Sequence, residues 1–139
     1  MSNSRFATAQ EAEDAFYRAF ARADLEAMME VWADDETITC IHPAGPRLDG
    51  RSAIRRSWQA IFHDPAGIEF VLTDARRIES GELVVHLVLE RVREGKEHMH
   101  HVPVIATNVY RLTQYGWRMV LHHASVPPLP QKPAQEQLH

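Results

Sequence analysis

An imidazole at the end of a strand, beside a loop of prolines and glycines, is placed to exchange protons near neutral pH. His42-Pro43 is such a position, so His42 is a candidate general base. It is one of nine histidines in the 139 residues. His122 and His123 are adjacent in an extended stretch, so their side chains leave opposite faces and one of the two can enter a pocket. Alternation groups Trp117, Met119, Leu121 and His123 on one face and Arg118, Val120 and His122 on the other. The first face is the more apolar, so simple alternation favours His123 on a buried side, but both faces of a sheet that associates can be buried and the choice between His122 and His123 stays open. Asn108 lies among Thr107, Val109 and Tyr110; a buried amide there requires partners, from the protein or from a ligand. His98 and His100 are one strand repeat apart and could converge on an ion, with His86 or His122 as a third ligand and His101 close by. No carboxylate spacing supports that arrangement, and neither a metal nor a cofactor is expected. Cys40 alternates with Ile38 and His42 and reads as a small buried hydrophobe. No phosphate-binding glycine loop or serine triad is present.

The elements that position these groups follow from periodicity. Residues 7–22 read as an amphipathic helix with Thr8 as N-cap, Glu11 as its capping-box partner, and an apolar stripe of Ala12, Ala15, Phe16, Ala19 and Phe20. Asp24 caps a second helix to about residue 33, with Leu25, Met28, Met29 and Trp32 inward. Residues 37–42 are β-branched and short, hence a strand, stopped by Pro43; residues 43–50 read as a loop. Residues 51–62 form a third helix with Ile54, Trp58, Ile61 and Phe62 on one side. Trp32 and Trp58 are expected as core or pocket wall. Strands follow at 68–78, 83–93, 98–112 and 117–125, joined by short turns, with Pro103 marking a bulge or an edge. In 83–93, Val84, His86, Val88, Glu90 and Val92 share one face and Val85, Leu87 and Leu89 the other. One domain over 1–126 and a proline-rich flexible tail over 127–139 are expected.

Composition narrows the class. Apolar residues make up 45% and charged residues 24%, the balance of a globular domain. A formal charge of −4 gives no electrostatic footprint for nucleic acid or an anionic membrane surface, so neither is expected as a partner. One cysteine excludes an internal disulfide and fits a reducing compartment. No apolar run approaches membrane-spanning length and the N-terminus lacks a signal-peptide core, so a cytoplasmic protein is expected. Apolar residues on both faces of 83–93 and 98–112 exceed what one layer of helices covers, and a homodimer or higher homo-oligomer through the sheet is expected.

Helices, a strand, a helix and then four strands indicate an α+β fold with an antiparallel sheet. Together with Ala23-Asp24-Leu25-Glu26-Ala27, Trp32-Ala33-Asp34-Asp35, His42-Pro43, Leu48-Asp49-Gly50, Gly116-Trp117-Arg118 and His122-His123-Ala124-Ser125, that order resembles the nuclear transport factor 2-like superfamily and its SnoaL-like group. The resemblance implies a cone: three N-terminal helices on a curved sheet with a pocket between them. Compared with ketosteroid isomerases in that group, Ala33-Asp34-Asp35 and His42-Pro43 resemble the segment carrying the aspartate base, so the resemblance places the base on His42. It places one oxyanion-binding group on Asn108 and the other on Phe16, beside Tyr17. Phe16, Tyr17, Trp32, Trp58, His122 and His123 are thereby the expected ligand-binding set. The ending also resembles the association domain of calcium/calmodulin-dependent kinase, an assembly module. Two functions follow as expectations: binding of a small apolar organic molecule, with acid–base isomerase, lyase or hydrolase chemistry, or non-catalytic oligomerisation.

Overall fold

A computed structural model describes residues 6–63, 68–94, 98–99 and 103–127. Helix α1 (Ala9–Arg22) opens where the Thr8 side chain accepts from Glu11 N and Glu11 Oε1 accepts from Ala7 N, each at 3.0 Å. It ends at Ala23, which turns left-handed at φ 53°. Helix α2 (Leu25–Val31) starts from the Asp24 cap on Ala27 N. The Arg51 guanidinium closes its far end by donating to Met29 O, Trp32 O and Ala33 O at 3.1–3.2 Å. Helix α3 (Arg51–Ile61) begins after Gly50, whose φ of 90° is closed to most L-residues. All three helices fall within two residues of their expected bounds.

The strands are β1 (Thr39–Ile41), β2 (Arg47–Asp49), β3 (Ile68–Ser80), β4 (Leu83–Glu94), β5 (His98–Met99), β6 (Val104–Thr113) and β7 (Gly116–Ser125). They form one sheet in the order β2-β1-β7-β6-β4-β3, with β5 paired to β4. Three expectations are corrected here. The stretch 43–50 is not all loop: β2 folds back on β1, with Cys40 opposite Leu48. The strand expected over 98–112 is two pieces, β5 and β6, and Pro103 lies outside both. The sheet is also not wholly antiparallel, because β1 runs parallel to β7. The two are neighbours in the sheet although β2, α3 and β3 to β6 lie between them in the chain. Two register shifts bend it: one in β3 between Thr73 and Arg76, where Asp74 has φ 54°, and one where Val109-Tyr110 of β6 face Leu121 and Met119 of β7.

Helix α1 packs over β3, β6 and β7, so one face of the sheet carries the core. Phe16, Met28, Val31, Trp32, Ile38, Ile54, Trp58, Tyr110 and Met119 are buried there at 2% exposure or less. On β4 the buried face is the one carrying Val84, His86, Val88 and Glu90, as its alternation implies. Among the described residues no helix is long and apolar enough to cross a membrane. The proposed tail, apart from Pro127, and His100 and His101 lie outside the described residues.

Candidate functional site

Strand register builds a row of polar side chains through the apolar core. His86 of β4 pairs with Asn108 of β6, Asn108 with His122 of β7, and His122 with Cys40 of β1. Arg77 of β3 lies opposite His86 and extends the row to the surface. From α1, Glu13 and Tyr17 reach down onto it, one helical turn apart. His86, Asn108, His122, Glu13 and Glu90 are each no more than 5% exposed. Burying five such groups is costly unless they satisfy one another, and they largely do.

Asn108 is the hub. Its Oδ1 accepts from His122 Nδ1 at 2.6 Å, and its Nδ2 donates to the Tyr17 hydroxyl at 2.9 Å and to Glu13 Oε2 at 3.4 Å. The Tyr17 hydroxyl in turn donates to Glu90 Oε2 at 2.5 Å. Glu13 Oε2 also receives the Tyr110 hydroxyl at 3.3 Å, and His86 Nδ1 stands 3.0 Å away. That last contact has ion-pair distance without hydrogen-bond alignment. Arg77 Nε donates to His86 Nε2 at 2.8 Å, which leaves the imidazole proton on Nδ1, toward Glu13. By the same accounting His122 carries its proton on Nδ1 and has its lone pair on Nε2.

His42 lies at the near edge of this network. The Ser57 hydroxyl gives its proton to Ile54 O at 2.7 Å, so the 3.0 Å contact with His42 Nε2 is a donation from the imidazole. The lone pair of His42 is therefore on Nδ1. Its ring stands edge-on to Trp58 at 4.8 Å and lies 6.4 Å from the His122 ring. Phe16 packs against both Trp58 and His122, at 5.6 and 4.9 Å. The half-buried rings of Phe20, Phe62 and Phe70 continue the aromatic wall outward.

Burial drives the titration of these groups apart. It lowers His122 to about 3, with the charges of His42 and His123 adding, and it lowers His42 as well, so both imidazoles are neutral at pH 7. Burial raises Glu90 to about 7 against the opposing hydrogen bond from Tyr17, and the Glu13 charge raises it further. Tyr17 and Tyr110 are held well above the usual phenol range, first by burial. Burial also pushes the Cys40 thiol to about 12, so it is no nucleophile.

Of the residues expected from sequence, Phe16, Tyr17, His42, Trp58, Asn108 and His122 come together. His42 and Asn108 are not in direct contact; His122 stands between them. Trp32 is buried but bridges to Met119, away from the polar row. The structure decides between the paired histidines, against simple alternation. His122 is 1% exposed and inward, whereas His123 faces out and is exposed. The cause is the shift between β6 and β7: Val120 is left without a partner, so alternation restarts and both Met119 and His122 point inward. Glu13, Glu90 and Tyr110 are site residues that the sequence reading does not single out, and His86 enters it only as a possible metal ligand, although His86 and Glu90 on one face of an otherwise apolar strand are a visible signal. Among the described residues no group of three or more His, Cys, Asp or Glu is placed to hold a metal ion. An open depression of about 490 Å³ lined by Arg56, Gln59, Ala60 and His63 lies on the other side of α3 and is separate from this site.

Comparison with known proteins finds a family model, described as a SnoaL-like domain, over residues 10–129. A solved structure from Thiobacillus denitrificans, provisionally described as a calcium/calmodulin-dependent protein kinase type II association domain, is 39% identical with TM-score 0.85, covering 90% of this chain and 99% of that one. A second, from Streptomyces avermitilis, is provisionally described as a dehydratase of the NTF2-like family; it is 30% identical with TM-score 0.77, covering 87% of this chain and 95% of that one. The F-box protein SKIP8 of Arabidopsis thaliana is 29% identical over 112 residues, 80% of this chain but 46% of that protein, so this chain spans less than half the length of that relative.

Proposed function

The chain belongs to the SnoaL-like domain family of the NTF2-like superfamily, and from that premise we propose that it binds a small, largely apolar organic molecule between its helices and its sheet and performs acid–base chemistry on it. The observation that carries this reading is the buried row of His86, Asn108 and His122, tied to two glutamates and two tyrosines inside an apolar core. A core built for stability alone would replace such a network with packed aliphatic groups at little or no loss. In this reading His42 is the proton acceptor, through Nδ1, and it is neutral and available at pH 7. Glu90, protonated near neutrality and held by Tyr17, is the complementary proton donor. A base and an acid at the two ends of the row that runs through Tyr17, Asn108 and His122 would suit proton removal from carbon with protonation of an oxygen, the requirement of an isomerase or of a lyase that expels water. The likeness to a protein described as a dehydratase supports the second.

A thermal-shift screen of small apolar alcohols, ketones and enones, followed by turnover assays on the hits, tests the proposal. His42→Ala should keep the fold and still bind the hits, more weakly, but lose turnover by about 100-fold or more. His42→Asp should retain part of the activity, with its pH profile moved toward acid. Wild-type turnover by His42→Ala would remove His42 from the chemistry.

A second reading has its own observation. The uncovered face of the sheet carries a row of Ile78, Val85, Val109 and Leu121 across β3, β4, β6 and β7, and Ile78, Leu83 and Ile105 are 58%, 41% and 39% exposed. Such a face suits association of copies, and the likeness to a protein described as an association domain supports it. A screen without hits on a stable oligomer would favour this reading.

A further inference from the structure

Two buried polar atoms of the site have no hydrogen-bond partner: His86 Nδ1, which stands at ion-pair distance from Glu13, and the indole nitrogen of Trp58. Trp58 is fully buried, yet its Nε1–H has no hydrogen-bond partner. A buried donor left unmade costs about 1–3 kcal/mol, so its retention calls for an explanation. The two imidazoles packed around that indole, His42 at 4.8 Å and His122 at 6.2 Å between ring centres, present the opposite deficit. The tautomer of His122 is set by Asn108 Oδ1 and that of His42 by Ser57, so each ring has committed its proton and has a lone pair left over, on Nε2 and Nδ1. Among the described residues neither lone pair is hydrogen-bonded. One open donor and two open acceptors therefore lie on three rings whose centres are within 4.8–6.4 Å of one another.

We propose that Trp58, His42 and His122 form a hydroxyl-recognition site, and that the ligand is a neutral alcohol on a small apolar frame. The proposal rests on the small-molecule reading above and names the class of ligand. A hydroxyl donates one hydrogen bond and accepts up to two, so it can satisfy the indole N–H and one imidazole lone pair together. A carboxylate would accept from Trp58 but would set its charge against two lone pairs, and no Lys or Arg is among the buried described residues to balance it. An ammonium would meet the lone pairs but would oppose the indole N–H, and none of the three rings contacts a carboxylate among the described residues. The walls of Phe16, Phe20 and Phe62 suit an aliphatic ring or chain.

The test uses four probes on one frame: cyclohexanol, cyclohexyl methyl ether, cyclohexanecarboxylate and cyclohexylammonium, titrated into ¹⁵N-labelled protein. The readout is the NMR signal of the Trp58 indole N–H and of the ring nitrogens of His42 and His122. Cyclohexanol should shift all three saturably. The ether, which accepts but cannot donate, should bind about fivefold or more weakly, the loss of one net hydrogen bond. Trp58→Phe should weaken the alcohol by a similar factor; should that variant fail to fold, the alcohol–ether comparison on the wild-type protein decides alone. Equal affinity for ether and alcohol, or tighter binding of either charged probe at these rings, overturns the hydroxyl assignment while leaving a small-molecule site. No shift with any of the four overturns the small-molecule reading, and the assignment with it.

Discussion

Replacing Glu90 with glutamine should make the protein progressively more stable than the wild type as pH rises. The carboxyl titrates at about 7 in the fold against an ordinary 4.5, chiefly because it is 5% exposed, and one hydrogen bond from Tyr17 does not compensate its charge. A carboxyl raised by folding holds its proton in the native state while the unfolded chain has already lost it. Its contribution is therefore fully present below about pH 4.5 and is lost as pH rises through 7. The separation, 7 − 4.5, is about 2.5 pH units, and at about 1.4 kcal/mol per unit the whole effect is on the order of 3 kcal/mol. Most of it, on the order of 2–3 kcal/mol, should appear between pH 5 and pH 8. Glutamine keeps an oxygen to accept from Tyr17 and cannot ionise, so it does not lose this increment. Urea unfolding of both proteins at pH 5, 6, 7 and 8 measures it. With a slope near 2 kcal/mol per molar, the gap between midpoints should widen by about 1 M toward alkaline pH. Taking the difference cancels the titration of every other group that the substitution leaves unchanged. Parallel stability curves for the two proteins would refute the reasoning, because they would mean that Glu90 ionises as easily in the fold as in water.

His122 should act in the opposite sense. Its imidazole is lowered from 6.5 to about 3, so its contribution is present above pH 6.5 and is lost as pH falls. His122→Gln should be the weaker protein at pH 7, and by pH 4.5 its deficit in chemical denaturation should narrow by about 3 kcal/mol. A deficit independent of pH would contradict the burial of a neutral ring. Gly50→Ala should cost about 1–3 kcal/mol, because φ 90° disfavours any Cβ; the added atom would also meet Glu36 Oε1 at 2.5 Å, but that exposed side chain can swing away. Glu36→Ala should therefore not rescue it, and a full rescue in thermal melts would put the cost in the clash instead. Light scattering at micromolar concentration should show an oligomer that Val85→Asp, on the uncovered sheet face, dissociates; a monomeric wild type would remove that face as an interface.

Much of the fold was legible locally. Thr8 with Glu11, and Asp24 with Ala27, start helices through hydrogen bonds that span three residues, so residue type and spacing were enough to place them. The two-residue period of β4 likewise showed that Val84, His86, Val88 and Glu90 share a face. The His42-Pro43 and Asn108 positions were singled out, and both lie in or beside the polar row. What sequence could not supply was the pairing. Arg77, His86, Asn108, His122 and Cys40 come from five strands and form one row only through register, which is a collective result of every cross-strand contact. The same dependence decides between His122 and His123. Ideal alternation put His123 inside, but one unpartnered residue at Val120 shifts the phase, and nothing in the local sequence marks it. The return of β1 alongside β7, about 80 residues later, is also invisible to local patterns. The charge states came last. Glu90 and His122 are ordinary residues in the chain, and they acquire opposite departures from their usual titration only when the assembled core removes water from around them.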